Sequence, residues 1–231
     1  MEGRESEPRR AFCIRRFELS VMIQEAAKKD LLLLVPDKNT QFALRGALPR
    51  SQSLGIRPIT FDFLVHSGRD GGVRATGAAL GALKRNQFRH LLMIFDHEGS
   101  GAEGTSAAKL TAELEKQLDD RWTGDARVIV IEPEVDIWLW GSDNVLSQLL
   151  KWRASDNIRD WLKNRGFEFD GNDKPVRPKE AFEALRDVHG MPRSSSLYEK
   201  IATQLSLPRC LDPAFVRLRK ILQLWFPPTG P

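Results

Sequence analysis

Four short apolar runs, each stopped by a polar or charged residue at a turn, constrain this chain more than any other feature. Leu31-Leu32-Leu33-Leu34-Val35 runs into Pro36-Asp37, the run 57–66 ends in His66, His90-Leu91-Leu92-Met93-Ile94-Phe95 runs into Asp96, and Arg127-Val128-Ile129-Val130-Ile131 into Glu132. Runs this short and this continuous suit strands buried on both faces of a parallel sheet. Apolar spacings of three and four predict helices near 41–48 and 73–83, between consecutive strands. A helix between two strands implies a right-handed parallel crossover. The expected fold is therefore α/β, an open and mostly parallel sheet of about four strands with helices on both faces.

That architecture is Rossmann-like, but the dinucleotide fingerprint is missing. Gly99, Gly101 and Gly104 follow the third strand rather than the first, and their spacing differs from the phosphate-binding pattern. A nicotinamide or flavin enzyme is not expected. After Val135 the pattern turns helical: helices are predicted over 136–152, 157–164 and 179–188, with a polar loop over 166–178. Ser195 or Ser196 can cap a further helix, and Asp212-Pro213 offers a cap followed by proline at the first helical position. Residues 1–11 read as a solvated tail, 12–150 as the α/β domain and 151–231 as a helical region packed on it. A short helix carrying Leu19, Met22, Ile23, Ala26 and Ala27 precedes the first strand.

Composition narrows the function classes. The 231 residues are 41% hydrophobic, enough for a sizeable core, and 35 basic residues nearly balance 31 acidic ones. A polycationic nucleic-acid binder is excluded, although residues 151–231 alone carry a net +5. No apolar run approaches the roughly 20 residues of a membrane span, and the first 16 residues do not resemble a signal peptide, so a cytoplasmic protein without a membrane partner is expected. Cys13 and Cys210 sit at opposite ends of the chain, and with only four histidines neither a disulfide framework nor a zinc cluster is expected.

Ligands of open parallel sheets bind at the carboxyl ends of the strands. That edge receives Asp37, then 66–70 with Asp70, then Asp96-His97-Glu98, then Glu132, Glu134 and Asp136. Clustered carboxylates repel one another unless a hard cation neutralises them, which suits magnesium or manganese. Any one of them could equally be a helix cap, Asp37 and Asp70 above all. Asp96 and Glu98, two apart with glycines after them, favour a metal. His97 reads as a loop histidine or an outer donor, and Trp138 and Trp140 as core. Lys38 and Arg69 lie on the same edge and could hold a phosphate or a nucleic acid, or be solvated charges.

Val35-Pro36-Asp37-Lys38-Asn39-Thr40 and Ile94-Phe95-Asp96-His97-Glu98-Gly99-Ser100-Gly101 resemble the two acidic motifs of the Toprim family of topoisomerases, primases and nucleases. Glu134-Val135-Asp136-Ile137-Trp138-Leu139-Trp140 is similar to a segment of bacterial Toprim-like proteins with a helical C-terminal region. The whole chain most resembles the small Toprim-like component of methylation-associated antiphage defence systems. The resemblance implies a magnesium- or manganese-dependent nuclease or phosphodiesterase with catalytic Asp37, Asp96 and Glu98, a metal held by these and Asp136, nucleic acid as substrate and other defence proteins as partners. Two departures stand against it. Pro36 occupies the position nearest the family's glutamate, with Asp37 one residue later, and the family's second motif is here Asp-x-Glu. The only tyrosine, Tyr198, lies in the helical region, so strand passage is not expected. The alternative is a catalytically silent scaffold or regulatory subunit that binds a protein of the same system through its Trp-rich helical region.

Overall fold

A computed structural model describes residues 27–228. The predicted tail, the short helix ahead of the first strand (apart from Ala27) and Cys13 lie outside the described residues. Four strands, β1 (Lys29–Val35), β2 (Phe61–Val65), β3 (Phe88–Asp96) and β4 (Ala126–Ile131), form one parallel sheet in the order β2-β1-β3-β4.

Alternate residues of each inner strand serve two separate apolar layers, which is why the runs are continuous. Leu31, Leu33 and Val35 of β1, Leu92 and Ile94 of β3, and Ile129 and Ile131 of β4 face one layer. Leu32, Leu34, Leu91, Met93, Phe95, Val128 and Val130 face the other. The first layer is covered by α1 (Lys38–Ala47), through Ala43, Leu44 and Ala47, and by the C-terminal helices. The second is covered by α3 (Arg69–Ala82) and α4 (Ala107–Trp122), through Val73, Leu110, Leu114, Leu118 and Trp122. A single short turn, α2 (Ser51–Leu54), follows α1. Connections leave β1 and β3 on opposite faces, so the crevice between those two strands is the switch point of the sheet. β2 lies at the edge and is only partly buried; its Asp62 pairs with Lys29 at 2.6 Å. A charge on an edge strand discourages further pairing.

The helix expected over 136–152 is two elements. A 3-10 segment, Val135–Gly141, gives way at Ser142, whose backbone is extended and whose hydroxyl accepts the Val145 N–H at the start of α5 (Asp143–Leu150). A serine that caps a new helix must leave the old one, and apolar spacing alone does not register such a break. There follow α6 (Ile158–Lys163), capped by Asn157, then α7 (Pro178–Val188), α8 (Ser196–Gln204) and α9 (Pro213–Trp225). Asp212 caps α9 by accepting the Phe215 N–H, as expected. Ser195 does not cap α8 with its side chain; its hydroxyl donates to Asn39 Oδ1 of α1.

Phe215, Leu218, Ile221 and Leu222 of α9 are buried at helical spacing, with Trp225 half-buried, and join the same apolar cluster as β1, β3 and β4. Trp138, Trp140 and Trp161 belong to this cluster too. A Trp-rich contact face, expected for a scaffold, is therefore not formed by these three: their rings are spent on the interior. None of the described helices is long and apolar enough to cross a membrane.

Candidate functional site: an acidic cluster at the carboxyl edge

Each loop that leaves a strand sends a carboxylate to the same edge, where Asp37, Asp70 and Asp96 each accept a backbone N–H. Asp37 directly follows β1 and Pro36. Its extended backbone places Oδ1 2.9 Å from the Thr40 N–H, so it caps α1. Asp70 stands in the first turn of α3, just after Arg69, whose φ of +52° lies in the left-handed region. Asp70 Oδ1 accepts the backbone N–H of Asp96 at 2.8 Å. Asp96, the last residue of β3, is 8% exposed, and its Oδ1 accepts the Val135 N–H at 2.9 Å. This chain of contacts ties the ends of β2, β3 and β4 together.

The helical region contributes two further partners. Tyr198 of α8 donates its hydroxyl to Asp136 Oδ1 at 2.7 Å, and Lys179 of α7 lies 3.3 Å from Glu134 Oε2. Both carboxylates are buried. Glu98 is not among them. Its side chain is exposed, while its N–H donates to the Pro133 carbonyl at 3.0 Å. The β3 chain turns immediately after Asp96, so the two carboxylates of Asp-x-Glu part company. His97 also points elsewhere, its Nε2 2.8 Å from the Thr105 carbonyl. Lys38 and Arg69 are exposed at the rim.

Burial dominates the electrostatics, and mutual repulsion adds to it. Asp96 is pushed well above the ordinary carboxylate range, first by desolvation and then by Asp70, Asp37, Glu134 and Asp136. Asp70 is raised by burial, against the relief given by backbone N–H groups, with the charge of Asp37 adding to the rise. Glu134 is lifted to about 7 by burial and by Asp136, with Lys179 opposing, and Asp136 to about 6 by burial, with Tyr198 and Lys179 opposing. Desolvation, the largest single influence, would lower Lys179, but the charge and hydrogen bond of Glu134 together with the charges of Asp136 and Glu183 outweigh it, and its proton is held more tightly. Tyr198 is raised by burial and by Asp136, so its hydroxyl stays a donor.

The structure thus gathers Asp37, Asp96 and Asp136 from the expected set, leaves Glu98, Lys38 and Arg69 at the surface, and adds Asp70, Glu134, Lys179 and Tyr198. Asp70 and Glu134 carried a signal in sequence, since each follows a strand. Lys179 and Tyr198 carried none. All-oxygen donors suit magnesium in their chemistry. In geometry they do not form its site: among the described residues no group of three or more His, Cys, Asp or Glu side chains is placed to hold a metal ion. No protein-family model, curated protein or solved structure matches the chain.

Proposed function

We propose that this chain is a Toprim-like subunit of a bacterial antiphage defence system that acts by binding a partner protein of that system, without cleaving nucleic acid. The observation that supports this reading is the prior engagement of the acidic edge. Asp37 is a helix cap, Asp70 and Asp96 receive backbone N–H groups, Asp136 receives the Tyr198 hydroxyl and Glu134 pairs with Lys179. Asp136 and Glu134, engaged by Tyr198 and Lys179, tie the helical region to the sheet. Each of these contacts takes one oxygen of its carboxylate, no three acidic side chains among the described residues are placed to hold a cation together, and Glu98, the second half of the family-like motif, stands outside the cluster.

One observation favours the second reading, a divalent-metal-dependent nuclease. The carboxylates are close enough to raise one another's proton affinity, and repulsion of that kind is relieved by a bound cation. Thermal melting with magnesium or manganese separates the two, because a ligand that binds only the folded state raises Tm by mass action. On the binding-subunit reading, millimolar metal leaves Tm unchanged in the wild type and in Asp96→Asn alike, and neither DNA nor RNA is cut. A saturable rise in Tm that Asp96→Asn abolishes would replace this reading with the nuclease.

A further inference from the structure

The two lateral edges of the sheet are finished differently. In a parallel sheet, alternate residues of a strand turn both main-chain groups towards the same side. On β4 the carbonyls of Asp125 and Ile131 accept the Leu91 and His97 N–H groups, so the odd-numbered residues face β3 and Val128 faces outward. The Val128 N–H donates to Glu115 Oε1 at 2.9 Å, its carbonyl accepts Arg217 Nε at 3.3 Å, and these two side chains pair with each other at 2.7 Å. That edge is closed to a further strand.

The β2 edge is not. The Thr60 carbonyl accepts the Leu31 N–H and the His66 N–H donates to the Val35 carbonyl, so the even-numbered residues face β1 and Phe61, Phe63 and Val65 turn their N–H and C=O groups outward. Among the described residues no group hydrogen-bonds to them. The side chains of the same three residues make an apolar ledge. Phe61 and Phe63 meet edge to face at 5.7 Å and are only partly buried, as are Phe42 and Ile59 against the same core, and Val65 is 39% exposed. Asp62, the one charge on β2, is answered by Lys29 at 2.6 Å.

We propose that residues 17–24 of this chain, which lie outside the described residues, complete the sheet as an antiparallel strand on the outer edge of β2. Phe17, Leu19, Val21 and Ile23 alternate with Glu18, Ser20, Met22 and Gln24, the period of a strand with one apolar face, which competes with the helical spacing of Leu19, Met22, Ile23 and Ala26. The chain joins β1 at Lys29, beside the start of β2. The outer side of β2 lies two strand spacings from β1, about 10 Å, and residues 25–28 can span up to about 14 Å. A tethered strand acts at high effective concentration, so a charge that deters foreign strands does not keep it off. An antiparallel edge strand on an otherwise parallel sheet is a common arrangement. The inference stands apart from the proposed function, since it uses neither the acidic edge nor a protein partner.

The test is amide hydrogen exchange by NMR on the full chain, read at Phe61, Phe63 and Val65, with the inner strands β1 and β3 as the control for folding. The three amides should exchange at least about tenfold more slowly than unpaired amides do. Val21→Asp puts a charge on the alternating face and should remove that protection. Met22→Asp, on the helical face but not on the alternating one, should leave it within about twofold of the wild type. Phe17→Asp repeats the comparison if Val21→Asp fails to fold. Four results overturn the inference: unprotected amides in the wild type, loss of protection in Met22→Asp, protection indifferent to both Val21→Asp and Phe17→Asp, or protection that disappears on dilution, which would assign the edge to a second copy of the chain.

Discussion

Asp96 combines a buried carboxylate with four acidic neighbours, so its charged form is the disfavoured one. Unfolding frees it to ionise at an ordinary pKa, which means that at neutral pH the native state binds more protons than the unfolded state. Under that inequality stability falls as pH rises. Glu134 and Asp136 act in the same direction within windows their values set: stability is lost from about 4 up to about 6 for Asp136, and from between 4 and 5 up to about 7 for Glu134. Urea denaturation between pH 4 and pH 8 should accordingly show a decline towards the alkaline end. Asp136→Asn keeps an acceptor for the Tyr198 hydroxyl and removes the ionisation, so it should flatten the lower part of that decline and restore at most about 3 kcal/mol at pH 8. Asp96→Asn likewise keeps an acceptor for the Val135 N–H, and should leave the metal-free protein at least as stable as the wild type at pH 8. A pH-independent loss of stability in both variants would show that these carboxylates are ionised and structurally paired at neutral pH.

Helix α1 joins the acidic edge at one end to the helical region along its side, and one residue tests each junction. At its start Asp37 supplies the cap. Asp37→Ala should cost about 1 kcal/mol whether or not metal is present, while Asp37→Asn, which still caps, should cost only a few tenths. Equal losses in the two variants would point to a need for the charge itself. Further along, Gly46 lets α1 approach α8 closely: a Cβ there would lie 2.5 Å from the Glu199 carbonyl oxygen and 2.8 Å from Ala202 Cβ. Backbone cannot yield as a flexible side chain can. Alanine in place of glycine gains about 1 kcal/mol of helix propensity, yet the collision should dominate and make Gly46→Ala destabilising by roughly 1–3 kcal/mol. A stabilised variant in chemical denaturation would mean that the two helices have room to separate.

Across the whole molecule, one apolar cluster runs from β1, β3 and β4 through α1 to α9, so the helical region and the sheet should unfold together. Leu218 of α9, 1% exposed, tests this. Leu218→Ala should cost about 2–5 kcal/mol, and its far-ultraviolet circular dichroism and tryptophan fluorescence transitions should still coincide. Two separated transitions would show that the helices form a unit of their own. This shared core also marks the boundary of what could be read from the chain. Leu31-Leu32-Leu33-Leu34-Val35 and its counterparts in β3 and β4 dictated a parallel sheet by themselves, since a strand segment covered on both faces must be apolar at every position, and Asp212-Pro213 announced α9 because capping is chemistry between near neighbours. The carboxyl edge was legible to the same extent: Asp37, Asp70, Asp96, Glu134 and Asp136 all follow strands, and parallel strands end together. Whether those carboxylates meet a cation or a protein donor was not legible. That depends on Val135 N–H reaching Asp96, on Lys179 and Tyr198 arriving from helices far along the chain, and on a turn that sends Glu98 outward. Periodicity and capping are local and leave marks in sequence, whereas the direction of a side chain after a turn and its distant partner are decided only when the layers pack.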